Sequence, residues 1–109
     1  MRRIGIFGGP FNPLHVGHMI IAADARQALD LQVVLFVVAK APWQKGSGIT
    51  PASIRYDMVQ RALRYVPWAR PSYVELRREG PTRTIETLEH LAKPEQQLFL
   101  LLGQDQWEN

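Results

Sequence analysis

Apolar residues in this chain fall into short solid runs separated by amphipathic stretches, and the two alternate almost from end to end. Ile4 to Phe7 lacks the polar break at every second residue, as expected of a strand covered on both faces in a parallel sheet. From His18 to Leu29 the period becomes helical: Ile21, Ala25, Ala28 and Leu29 share one side, with Asp24, Arg26 and Gln27 elsewhere. Gln32 to Val38 is rich in β-branched residues and reads as a second strand. Ala39 to Ile49, with Pro42 and two glycines, reads as a loop. Thr50-Pro51 predicts a helix start, a hydroxyl N-cap followed by proline at the first helical position. That helix runs to about Tyr65 and turns Ile54, Met58, Val59, Ala62 and Leu63 inward. Pro67 and Pro71 close it, and Ser72 to Leu76 reads as a third strand. Arg77 to Arg83 is a polar loop, Thr84 caps a helix through Leu91, and Gln97 to Leu102 is the most apolar strand.

The order β-α-β-α-β-α-β, without a repeat or an interdomain linker, predicts an α/β fold. It is a Rossmann-like parallel sheet with helices on both faces, in one domain over residues 1–109. Ligands of such sheets sit at the carboxyl ends of the strands. The turn after Phe7, the Lys45 loop, the Thr84 loop and the turn at Gly103 all follow strands, so they are expected on one edge. The chain reaches Asn109 soon after its last strand. An uncovered edge along Leu98 to Leu102 is an association hazard, which leaves a homo-oligomer open.

Composition narrows the class. At 109 residues, 46% hydrophobic and 21% charged, the chain suits one small globular domain. It has no cysteine, which excludes a disulfide framework and a thiolate metal site and fits a cytoplasmic setting. Arg2-Arg3 is followed by glycines and Pro10, so no signal-like apolar region forms, and Val33 to Ala39 is too short to span a bilayer. The net charge is +3, with Arg77, Arg78 and Arg83 interleaved with glutamates. Nucleic-acid binding calls for a denser basic stripe with aromatics, so neither a nucleic acid nor a membrane is expected as partner.

The candidate chemistry concentrates between Gly8 and His18, in the stretch Gly-Gly-Pro-Phe-Asn-Pro-Leu-His-Val-Gly-His. A strand, a glycine-rich turn and a helix start bring backbone N–H groups and the helix dipole to one point, which suits a phosphate. His15 and His18 add side-chain donors there. Two histidines three apart, without a third ligand, make a weak zinc signal, and structural histidines are common; stabilisation of phosphoryl charge fits their setting better. Phosphoryl transfer needs substrates held in line and charge neutralised more than it needs covalent help. Lys45 could be a phosphate clamp or a solvated lysine, and Trp43 could pack on a ligand or anchor the loop.

The spacing G-G-x-F-N-P-x-H-x-G-H resembles the signature of the adenylyltransferase superfamily, which is related to the H-x-G-H aminoacyl-tRNA synthetases. Within it the chain is similar to the bacterial nicotinate-nucleotide adenylyltransferases. The matching pieces are Val34-Leu35-Phe36-Val37 leading to Pro42-Trp43-Gln44-Lys45, Gly80-Pro81-Thr82-Arg83-Thr84 with Glu86-Thr87-Leu88, and Phe99 to Asp105, in family order. The resemblance implies transfer of AMP from Mg²⁺-ATP to nicotinate mononucleotide, giving deamido-NAD and pyrophosphate. It implies an ATP site built from Gly8, Gly9, Pro10, Phe11, His15, His18, Gly103 and Asp105, with His15 and His18 catalytic at the phosphates. Lys45, Thr84 and Asp105 would hold the acceptor, whose own phosphate is the nucleophile. Mg²⁺ would be held by triphosphate oxygens, with no protein metal site.

Three positions depart from the family pattern. Pro10 stands where a small hydroxyl residue is usual and removes an N–H and a hydroxyl from the cradle. Arg83 replaces a common tyrosine, and Asn12 an aspartate. The family's ring-stacking tryptophan segment and its I-S-x-T-x-x-R type motif are absent, so an N-terminal portion of such an enzyme is expected. The alternatives are an adenylyltransferase for nicotinamide mononucleotide or phosphopantetheine, and a nucleotide-binding domain without catalysis.

Overall fold

The computed structural model describes residues 2–39, 50–74, 93 and 95–101. They form, in chain order, β1 (Arg2–Gly9), α1 (Val16–Leu29), β2 (Val33–Val38), α2 (Ala52–Ala62), β3 (Ala69–Ser72) and β4 (Gln96–Leu101). All strand pairs are parallel, in the order β3-β2-β1-β4. The parallel sheet with helices read from the alternation is the one observed, and both described helices pack on one of its faces, whereas helices on both were expected. The expected loop from residue 40 to 49, the helix from Thr84 to Leu91 and the turn at Gly103 lie outside the described residues.

Both faces of the sheet carry apolar side chains, as the solid runs require. On one face Phe7, Val34, Phe36, Val38 and Leu101 pack with Ala22 of α1 and Val59 and Leu63 near α2. On the other Ile4, Ile6 and Val37 are buried beside Val33, Leu35 and Leu98. Neighbouring residues of β2 thus point to opposite faces, and neither face is polar.

Several boundaries and faces differ from the sequence reading. β1 extends two residues past Phe7, because Gly8 and Gly9 continue the ladder opposite Val37 and Val38. They end a strand and do not form the turn. α1 starts at Val16, earlier than His18, with His15 as its N-cap. Its inward stripe is Met19, Ala22, Ala25 and Leu29, whereas Ile21 and Ala28 are exposed. The helix stops where Asp30 takes a left-handed conformation (φ 53°) and donates its N–H to the Arg26 carbonyl.

α2 also differs. Pro51 occupies the N-cap without a side-chain bond, so the Thr50 hydroxyl does not cap this helix. The helix ends at Ala62, and Leu63 to Tyr65 form a turn. Val59 and Leu63 are buried as expected, but Ile54 and Ala62 are exposed, and the buried residue at the helix start is Arg55. β3 covers residues 69–72, earlier than the 72–76 expected, and contains Pro71. It is an edge strand of the described sheet, where a missing N–H is tolerated. β4 begins one residue before the expected Gln97.

Candidate functional site

β1 lies between β2 and β4. The chain steps from β1 outward to β2 and β3, then crosses to β4 on the other side of β1. The carboxyl end of β1 therefore opens on the crevice where strand order reverses, the usual ligand position in such sheets. Gly8, Gly9 and the turn from Pro10 to His15 stand at that point.

Phe11 anchors the turn from below. It has φ 47°, is 1% exposed, and meets Phe7, Phe36 and His18 at ring-centroid distances of 5.6, 5.7 and 5.1 Å. A left-handed backbone costs a bulky residue about 1–2 kcal/mol, which the packed rings offset. The ring also lies over Gly9, 3.6 Å from where a Cβ would stand. The Phe11 side chain supports the turn from the core.

The two histidines are locked together. The Gly17 N–H donates to His15 Nδ1 at 3.0 Å, and the His15 N–H donates to His18 Nδ1 at 2.9 Å. This is a capping box in which imidazoles stand in for the usual hydroxyl and carboxylate or amide. The rings stack with centroids 3.8 Å apart and planes 31° from parallel. An Nδ1 that accepts a bond carries no proton, so this pattern assigns the Nε2–H tautomer to both neutral rings. Burial, and then the neighbouring His15 ring, lower the His18 pKa from the ordinary histidine value.

The donors offered to an anion consequently differ from those expected. The Gly17 N–H is taken by His15 Nδ1, and the His18 N–H by the His15 carbonyl at 3.0 Å. The imidazole Nε2–H groups are the side-chain donors of this helix start. Gly17 makes the arrangement possible, since a Cβ there would stand 2.8 Å from His15 Cε1.

Arg55 was not singled out by sequence. It is 1% exposed and donates from Nε to the Thr50 carbonyl at 2.7 Å, and from Nη1 to the Pro10 and Ala39 carbonyls, both at 2.8 Å. Burial lowers its pKa from the ordinary guanidinium value. The available signal was its spacing: Arg55, Val59 and Leu63 form one row at intervals of four, so an arginine had to share the inward face. Gly17 had a signal too, lying between the two histidines.

Of the candidate site residues, the structure brings together Gly8, Gly9, Pro10, Phe11, His15 and His18. Lys45, Thr84, Gly103 and Asp105 lie outside the described residues. Among the described residues, no group of three or more His, Cys, Asp or Glu side chains gathers as a metal site. No described helix is long and apolar enough to cross a membrane.

Both the sequence and the fold have known relatives. Residues 6–109 match the family described as cytidylyltransferase-like. A protein of Leifsonia xyli named a probable nicotinate-nucleotide adenylyltransferase is 45% identical over 105 residues, which cover 94% of this chain and 52% of that protein. A protein of the same name from Thermus thermophilus is 42% identical, over 94% of this chain and 56% of its own length. The chain thus spans about half the length of the curated relatives it matches. Among solved structures, a candidate nicotinate-nucleotide adenylyltransferase from Vibrio parahaemolyticus superposes with a TM-score of 0.73 at 20% identity, covering 99% of this chain and 61% of that one. The nicotinic acid mononucleotide adenylyltransferase of Plasmodium falciparum, complexed with NaAD, gives 0.69 at 16% identity over 92% of this chain and 51% of that one. At these identities the two structures establish the fold.

Proposed function

Because the chain belongs to the cytidylyltransferase-like family, we propose that it is the N-terminal portion of an enzyme transferring AMP from ATP to nicotinate mononucleotide. The observation that carries the reading is the stacked His15–His18 pair at a helix start, directly after the strand at the sheet's crossover point. The names of the relatives support the choice of acceptor.

In this reading an oxygen of the acceptor's phosphate attacks the α-phosphorus of ATP. The new P–O bond forms as the bond to the β-phosphate breaks, and pyrophosphate leaves with that electron pair. The residues supply placement and charge stabilisation and no nucleophile. His15 and His18 donate from Nε2 to phosphate oxygens as negative charge develops, with both rings held in orientation by the capping box. Gly8, Gly9 and Pro10 carry the backbone past the nucleotide, and Phe11 holds that backbone from below. Lys45 and Thr84 hold the acceptor, Gly103 lies near ATP, and Asp105 bonds a ribose hydroxyl.

Magnesium neutralises triphosphate charge in such reactions. The described residues offer it no carboxylate cage, and both imidazole Nδ1 atoms are committed to backbone N–H groups. The ion would therefore ride on triphosphate oxygens. A cytoplasmic setting suits substrates of this kind.

The test is a chromatographic product assay. The purified chain receives ATP and Mg²⁺ with nicotinate mononucleotide, nicotinamide mononucleotide or phosphopantetheine in parallel. Deamido-NAD formed preferentially from the first supports the reading. Product from another acceptor reassigns the substrate, and ATP binding without product from a folded chain leaves a nucleotide-binding domain.

A further inference from the structure

Hydrogen bonds converge where the turn after β1 meets Ala39 and Thr50, which flank the stretch from residue 40 to 49. The Ala39 N–H donates to the Gly9 carbonyl at 2.8 Å, and the Thr50 N–H to Asn12 Oδ1 at 3.3 Å. Others come from Arg55, to Pro10, Ala39 and Thr50. Its carbonyl partners are 45, 16 and 5 residues away in sequence. They belong to the turn, to the residue following β2 and to the residue preceding Pro51. A buried cation stapling three backbone segments is costly to place and costly to remove, since its loss leaves carbonyls that must find other donors.

We propose that Arg55 is a positioning residue: its guanidinium fixes the backbone at Pro10, Ala39 and Thr50 and so sets the acceptor side of the site against the ATP side. This rests on the reading above, in which the stretch between Ala39 and Thr50 brings Lys45 to the acceptor. Neither substrate need touch Arg55. The role calls for arginine in particular, because donors on Nε and Nη1 diverge in a rigid plane and reach carbonyls in different directions. A lysine ammonium concentrates its donors on one atom. The His15–His18 pair is held separately, by its own capping bonds and by Phe11, so of the ATP-side residues only Pro10 depends on Arg55 directly, and the acceptor side should lose more.

The experiment compares the wild-type chain with Arg55→Lys by amide hydrogen exchange and by calorimetric titration of Mg²⁺-ATP and of nicotinate mononucleotide. In Arg55→Lys, protection of the Ala39 and Thr50 amides should fall by about tenfold or more, with central amides such as Phe36 unchanged. Acceptor affinity should fall by about tenfold, and ATP affinity by less than about threefold. Wild-type protection at Ala39 and Thr50, a loss spread evenly over the sheet, or equal weakening of both ligands would overturn the proposal. If the wild type does not bind nicotinate mononucleotide, the functional reading fails and the exchange data alone decide whether Arg55 fixes the three segments. Should Arg55→Lys not fold, the wild-type Arg55 Nε–H decides: a slowly exchanging resonance supports the clamp, and one exchanging as fast as a solvated arginine overturns it.

Discussion

A histidine capping box gives the two nitrogens of each ring separate tasks. His15 and His18 hold the start of α1 through Nδ1 lone pairs, and a proton on either Nδ1 would turn an acceptor into a donor facing an N–H. Folding therefore favours a neutral His18 ring, in line with its lowered pKa. The sign follows: with the folded pKa below the unfolded value of about 6.5, this contribution is complete above that value and is lost as pH falls through the folded pKa. Melting temperature should accordingly drop on acidification, and His18→Gln should flatten the drop, because glutamine at this position accepts the same bond without titrating. Parallel melting curves for the two proteins from pH 8 to pH 5 would contradict this. Capping and catalysis can also be separated at His15. Asparagine caps helices well, so His15→Asn should stay within about 0.5 kcal/mol of wild type in denaturant titration. Removing the imidazole donor should cut adenylyl transfer by about 10²-fold or more. Full turnover in that variant would return His15 to a purely structural role.

At the scale of elements, α2 shows what a hydrophobic pattern conveys and where it misleads. The row Val59 and Leu63 was legible, and so was the end of the helix to within a few residues. Ile54 and Ala62 looked inward because a helical pattern counts apolar residues and takes an arginine for a solvent marker. Here the buried guanidinium finds backbone carbonyls and claims the inward position, leaving Ile54 50% exposed. In α1 the inward stripe is rotated because the stacked histidines and Phe11 fix the helix start, a constraint that no apolar count contains. The His15–His18 spacing itself was plain in sequence, whereas the reciprocal bonding through Nδ1 depends on backbone geometry at the helix start. The rotation of α2 can be checked directly. Leu63→Ala should cost about 2–5 kcal/mol in urea unfolding, and Ile54→Ala no more than about 0.5 kcal/mol. Comparable losses at the two positions would restore the orientation that the pattern suggested.

For the molecule as a whole, alternating strands and helices were enough to anticipate a parallel sheet, but not the order of its strands. Order depends on which way each crossover turns, and the observed β3-β2-β1-β4 arrangement puts the Gly9–His18 region at the reversal. The same arrangement has a consequence for solubility. β4 is an edge strand of the described sheet, and it is the least enclosed of the long strands: Phe99 is partly buried under Arg3, whose guanidinium carbon lies 4.6 Å from the ring centroid, while Leu100 is 38% exposed. An edge of six residues, four of them apolar, with backbone groups facing outward is a template for another strand. Sedimentation velocity should therefore show association of this chain that grows with concentration through the micromolar range. Leu100→Lys should shift it toward monomer, since a lysine on an edge must be desolvated before a second strand can dock there. Leu100 pairs with Ile6, on the sheet face opposite the one where Phe7 meets His18, so any adenylyl transfer the chain performs should survive the substitution. Association that ignores the lysine would point away from β4 and toward another surface, and a chain monomeric at every concentration would mean that this edge is not available for pairing.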